Sequence, residues 1–210
     1  MKKLVSLFVM LLLPLMASAG NYQEGKHYTV VSEQATKKPE VREFFSFYCP
    51  HCFRFEPFMA SVKKQLPEDV KFEFNHVDFL GGVSKPMQKM LSKAVVVAEQ
   101  MGMERKIMGA IFKYIHVQRA VFTSEKDIRK VFVLNGADGE KFDKLMKSFG
   151  VNSKAKQMKK KQDYYAKIGG LTAVPAVIVN GRFRIENKVL DKDNFEEDYN
   201  NLVKYLLGLK

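Results

Sequence analysis

The segment Glu43-Phe44-Phe45-Ser46-Phe47-Tyr48-Cys49-Pro50-His51-Cys52-Phe53-Arg54-Phe55-Glu56 decides the fold. Its first half belongs to an aromatic-rich run, residues 41–48, that predicts a buried strand. Beyond the cysteines, Phe55, Phe58, Met59 and Val62 recur at helical spacing. Cys49 and Cys52 therefore sit where a strand ends and a helix begins. At such a start four backbone N–H groups lack intrahelical partners and the helix dipole favours negative charge. A thiol placed there is held as thiolate, the reactive form. Two sulfurs three residues apart also close into a small, reducible ring. The chemistry expected is thiol–disulfide exchange, with Cys49 as the exposed nucleophile and Cys52, one turn inward, as the resolving thiol. Pro50 supplies a helix-compatible φ near the start. His51, as a donor or partial cation beside Cys49, favours the anion further.

These are the two cysteines of a 210-residue chain. A purely structural disulfide is the weaker reading, because so small a ring removes little entropy from the unfolded chain. A zinc site would need two more ligands, and His27, His76 and His116 are scattered without ligand spacing. No metal and no cofactor are expected.

Residues 1–19 read as a leader rather than part of the fold. Lys2 and Lys3 are followed by an apolar run, residues 4–16, and by the small-residue site Ala17-Ser18-Ala19. That run is short for a bilayer and contains Pro14, which disfavours a membrane anchor. A signal peptide places the mature chain in an oxidising, extracytoplasmic compartment. The formal charge is +12, or +10 without Lys2 and Lys3. A basic balance suits nucleic acid or anionic membrane, but the lysines are dispersed. Their densest run, residues 154–161, reads as a solvated helix face, and no nucleic-acid partner is expected.

Along the mature chain, residues 28–31 predict a strand, and a second follows at 41–48. The helix opened by Cys49 contains Pro57, which should bend it, and stops at Leu66-Pro67. Alternation of Val70, Phe72 and Phe74 with Lys71, Glu73 and Asn75 predicts a third strand over 70–77, which completes a βαβ unit. After Gly81-Gly82 the period becomes helical. Five helices are expected: one carrying Met87, Leu91 and Ala94; one carrying Ile107, Ile111 and Phe112; one started by a capping-box pattern at 124–127 and stopped by Asn135-Gly136; one carrying Phe142, Leu145, Met146 and Phe149; and one over 153–168. Strands return at 176–179 and 182–185 around Asn180-Gly181, a strong hairpin signal. A last helix carries Phe195, Tyr199, Leu202, Val203 and Leu206.

The ordered set Phe47-Tyr48-Cys49-Pro50-His51-Cys52, the helical block and Val174-Pro175-Ala176 before a strand resembles the DsbA family of thiol–disulfide oxidoreductases, over essentially the whole mature chain. The resemblance implies an α/β thioredoxin fold with an inserted all-helical domain. Its parts would be a signal peptide at 1–19, thioredoxin-like segments at 20–82 and 169–210, and the insertion at 83–168. It implies a periplasmic protein that donates its Cys49–Cys52 disulfide to newly translocated, cysteine-containing proteins. It further implies reoxidation by a quinone-linked inner-membrane protein (DsbB-like) and action as a monomer. By the same resemblance Pro175 is cis and faces the dithiol, making Val174 and Pro175 substrate contacts. Glu43 matches a buried acid that assists proton transfer from Cys52. A solvent-facing strand position for Glu43 is the alternative. Phe74 stands near where some relatives carry a buried lysine, which puts a charge pair with Glu43 in doubt. The same dithiol could serve an isomerase or reductase, or be incidental in a peptide-binding chaperone; the short segment before the second strand argues for the oxidase.

Overall fold

The computed structural model describes residues 22–209, and the expected leader lies outside them. The strands are β1 (Tyr28–Val30), β2 (Glu40–Phe45), β3 (Lys71–His76), β4 (Ala176–Val179) and β5 (Phe183–Ile185). The helices are α1 (Pro50–Gln65), α2 (Lys85–Gln100), α3 (Glu104–His116), α4 (Glu125–Leu134), α5 (Gly139–Lys147), α6 (Phe149–Lys167) and α7 (Phe195–Gly208). One mixed sheet runs in the order β1-β5-β4-β2-β3. β2 and β3 are parallel and joined through α1, whereas β4 is antiparallel to both β2 and β5.

β2 is central, and its two faces pack on different helices. Val41 joins Met59 and Val62 of α1 and Tyr199, Leu202 and Val203 of α7 in one apolar cluster. Phe44, on the other face, meets Tyr165 of α6 with ring centroids 5.4 Å apart. A strand covered on both sides reads as a continuous apolar run, which explains Val41, Phe44 and Phe45. The helical block is not a separate core. Phe45, Phe47, Cys49 and Cys52 belong to the same cluster as Leu91, Ile107, Phe112, Phe132 and Phe142.

Several boundaries differ from the sequence reading, each for a local reason. β2 ends at Phe45 instead of Tyr48 because Ser46 turns the chain: its carbonyl accepts from Cys49 N–H at 3.1 Å and its Oγ from Tyr48 N–H at 3.2 Å. β3 begins at Lys71 and ends at His76, and its polar residues Glu73, Asn75 and His76 are buried under α2 and α6. Asn75 pairs with Arg42 Nη1 at 3.1 Å and the Met158 carbonyl at 3.1 Å, and His76 Nδ1 meets Ser92 Oγ at 2.9 Å. The helix expected to include Phe149 stops at Ser148, whose Oγ then caps α6 by accepting from Val151 N–H. Phe149 is consequently not a core residue: it is 88% exposed. α1 continues through Pro57 to Gln65.

Other signals are realised as written. Ser124 and Asp127 form a capping box at α4. Asn180 and Gly181 both take positive φ, 51° and 71°, as a two-residue turn matched to strand twist requires.

Phe112 ties the two parts together, its ring centroid lying 5.0 Å from Phe47 and 5.8 Å from Phe53. Phe112→Ala should cost about 3–5 kcal/mol. In urea, loss of helix by circular dichroism and exposure of Cys52 to alkylation should shift together; two separated transitions would contradict a shared core.

Candidate active site

The reactive pair is placed by a strand end, a turn and a helix start. Cys49 is the N-cap of α1, in extended backbone (φ −95°, ψ 113°), with Pro50 in the first turn. Its Sγ takes the place usually held by a serine or aspartate oxygen and accepts from Cys52 N–H at 3.2 Å. No acidic residue occupies the first turn of α1, so no carboxylate competes there for the positive end of the dipole.

Expected as the exposed nucleophile, Cys49 is 6% exposed and Cys52 1%. Cys49 is thus the more accessible of the two, through a narrow opening. Its pKa is lowered to about 6. The first cause is a hydrogen bond donated by the Cys52 thiol. The backbone N–H groups of Cys52 and His51 and the charge of His51 act in the same sense, while burial opposes them. Cys52 moves the opposite way: donation to Cys49 and burial hold its proton, and the Cys49 and Glu43 charges add to this. One proton shared unequally between two sulfurs separates their roles.

Around the pair, Val174–Pro175 is a cis peptide, and the Val174 carbonyl accepts from Cys49 Sγ at 3.5 Å. The two residues of this loop are partly exposed, beside the opening. His51 is exposed, and its Nδ1 accepts from Arg54 Nη2 at 2.9 Å. The direct donor from His51 to the sulfur is therefore its backbone N–H, with the ring turned to Arg54.

Glu43 is buried, 3% exposed, on β2. In the sheet register it stands beside Phe74 on β3 and Val177 on β4. No salt bridge to Glu43 occurs among the described residues. The Lys63 ammonium sits 5.2 Å from the Phe74 ring centroid and pairs with Glu104 at 2.6 Å. Burial first, then the Glu56 and Cys49 charges, push the Glu43 carboxyl well above its ordinary range. Glu56, one turn past Cys52, is also raised by burial.

One neighbour had no signal in the sequence. His116, at the end of α3, donates from Nε2 to the Phe47 carbonyl at 2.8 Å and stacks on Phe53 at 5.1 Å, nearly parallel. It bridges the turn before Cys49 and the helix after Cys52. Sixty-nine residues separate the hydrogen-bonded pair, so local spacing could not reveal it. Gly82 also serves this turn: with φ +103°, a Cβ there would meet the Tyr48 ring at 2.6 Å. Among the described residues no group of three or more His, Cys, Asp or Glu side chains is placed to hold a metal.

A family model described as "DSBA-like thioredoxin domain" matches residues 40–200. The chain belongs to the DsbA family. It is 40% identical to the thiol:disulfide interchange protein DsbA of Pectobacterium carotovorum over the full length of both chains. Identity to the DsbA of Escherichia coli K12 is 38%, covering 98% of each. Among solved structures, DsbA of Proteus mirabilis with a non-covalently bound peptide superposes with a TM-score of 0.77 at 33% identity, covering 90% of this chain and 99% of that one. DsbA of Klebsiella pneumoniae gives 0.77 at 31%, covering 90% and 100%. The fold is the DsbA-like thioredoxin fold, and the protein is a thiol:disulfide oxidoreductase.

The Glu43 carboxyl gives a signed prediction. Its folded pKa is raised, so the wild type loses stability as pH rises above the unfolded value near 4.3. Glu43→Gln, which cannot ionise, should be more stable than wild type at pH 7, with the gap closing below about pH 4. Urea unfolding across pH measures this; a variant less stable at pH 7 would contradict a raised carboxyl.

Proposed function

We propose that this protein works in the periplasm as a monomeric dithiol oxidase of newly translocated, cysteine-containing polypeptides, and that a quinone-linked inner-membrane protein reoxidises it. The observation that carries the reading is Cys49 Sγ as N-cap acceptor of α1, with its pKa lowered to about 6. Location rests on the leader pattern at 1–19. Action on polypeptides draws support from the peptide bound to the Proteus mirabilis relative.

In the oxidised enzyme a substrate thiolate attacks Cys49 Sγ. A bond forms between the two, the Cys49–Cys52 bond breaks, and Cys52 departs with the electron pair. A buried Cys52 thiolate is unfavourable, so it takes a proton, and Glu43, kept protonated by burial, is the donor this proposal assigns. A second substrate thiolate then attacks the substrate sulfur of the mixed disulfide, and Cys49 leaves as an anion. Two electrons pass from the substrate dithiol to the enzyme. A leaving thiolate of low pKa leaves faster, and a stabilised reduced form makes the disulfide a stronger oxidant. In this scheme Pro50 and His51 shape the helix start, and the Val174–Pro175 loop lines the approach of the substrate chain.

The test is a Cys52→Ala variant expressed with the leader intact. It should accumulate mixed disulfides between Cys49 and periplasmic proteins, released by reductant, while Cys49→Ser should accumulate none. Absence of captured polypeptides, or capture through another site, would overturn the proposal.

A further inference from the structure

A cavity of about 1010 Å³ opens between α6 and the connection from β1 to β2. It lies at the opposite end of β2 from the dithiol, because Glu40 and Arg42 at the start of the strand line it and Cys49 follows its last residue. Six strand residues at about 3.3 Å each separate the two places by roughly 20 Å.

The charges in this groove do not cancel. Its two carboxylates are already paired: Glu40 with Arg42 at 2.8 Å, and Glu73 with both Lys71 and Lys154. Lys37, Lys38, Lys160 and Lys161 also line it, are exposed, and have no ion pair among the described residues. Four uncompensated ammonium groups facing one concavity make a positive field focused by its walls. Phe149 stands at the rim, 88% exposed, the most exposed large apolar side chain among the described residues.

We propose that this groove docks acidic, extended polypeptide segments, with carboxylates on the lysines and an apolar side chain against Phe149. Its shape favours a chain, since a planar bilayer cannot follow a concavity. Its cations favour carboxylates, since all four unpaired groups are lysine, and the planar fork with which arginine reads phosphates and bases is missing. The proposal rests on the reading of the protein as an enzyme acting on polypeptides. It adds a second foothold: a segment held here raises the effective concentration of thiols further along the same chain.

The experiment uses the full mature chain and a fluorescein-labelled, cysteine-free peptide of alternating glutamate and alanine with one central phenylalanine. Anisotropy should report binding that fades as salt is added. Lys37→Glu, Lys38→Glu, Lys160→Glu and Lys161→Glu combined should weaken it at least about tenfold, as four exposed charge contacts of small individual value require. Phe149→Ser alone should weaken it several-fold. Both variants should oxidise a short, neutral dithiol peptide at the wild-type rate, which also verifies folding. Equal binding by the four-lysine variant would overturn the proposal. So would lysine-dependent binding of phosphatidylglycerol vesicles or single-stranded DNA without binding of the acidic peptide. Because the probe has no cysteine, its failure leaves the oxidase reading standing, whereas failure to oxidise the neutral peptide strikes that reading alone.

Discussion

A backbone N–H of Cys52 pointing at the sulfur of Cys49, 3.2 Å away, is the contact around which this molecule is arranged. It exists because Ser46 stops β2 and turns the chain so that the cysteine, and not a serine or aspartate, becomes the N-cap of α1. An oxygen cap would satisfy the helix equally well. A sulfur cap does more, because the helix end then stabilises the thiolate, which is the reacting form of the group. The dipole effect falls off beyond the first turn, so the turn must be held in place. His116 does this from the helical block through the Phe47 carbonyl, and Gly82 does so by leaving room for Tyr48.

The second constraint is a buried acid without a cation. In β3 the neighbour of Glu43 is Phe74, and the nearby Lys63 is drawn onto aromatic rings and Glu104. An unpaired carboxyl in the core favours its neutral form. The price is folding stability at neutral pH; in the proposed mechanism the same neutral carboxyl supplies the proton that Cys52 takes up. Cys49 held as an anion and Glu43 held as an acid are opposite answers to the same burial, decided by whether donors surround the group.

Sequence reading succeeded where a local pattern has one physical meaning. The Cys49–Cys52 spacing between an aromatic strand and a helical period placed both sulfurs at a helix start, Asn180-Gly181 located the hairpin, and Ser124 with Asp127 located a helix start. It failed where a short-range turn interrupts an apolar period, and where the answer lies across the fold. The turn at Ser46 is made by its own short-range hydrogen bonds to residues 48 and 49, which the aromatic pattern of residues 44–48 conceals. Phe149 fits a helical period and is nonetheless exposed, because Ser148 restarts the helix. The burial of Glu43 and the bridge from His116 depend on what α1, α3 and α7 bring to the sheet. Lys160 and Lys161, a solvated face in sequence, become one wall of a groove when the β1–β2 connection lies opposite.

The most direct test is the rate of alkylation of Cys49 in the reduced protein as a function of pH. The account predicts half-ionisation near pH 6, with Cys52 unreactive over the same range. A Cys49 that ionises near 8.5, like an ordinary thiol, would contradict it.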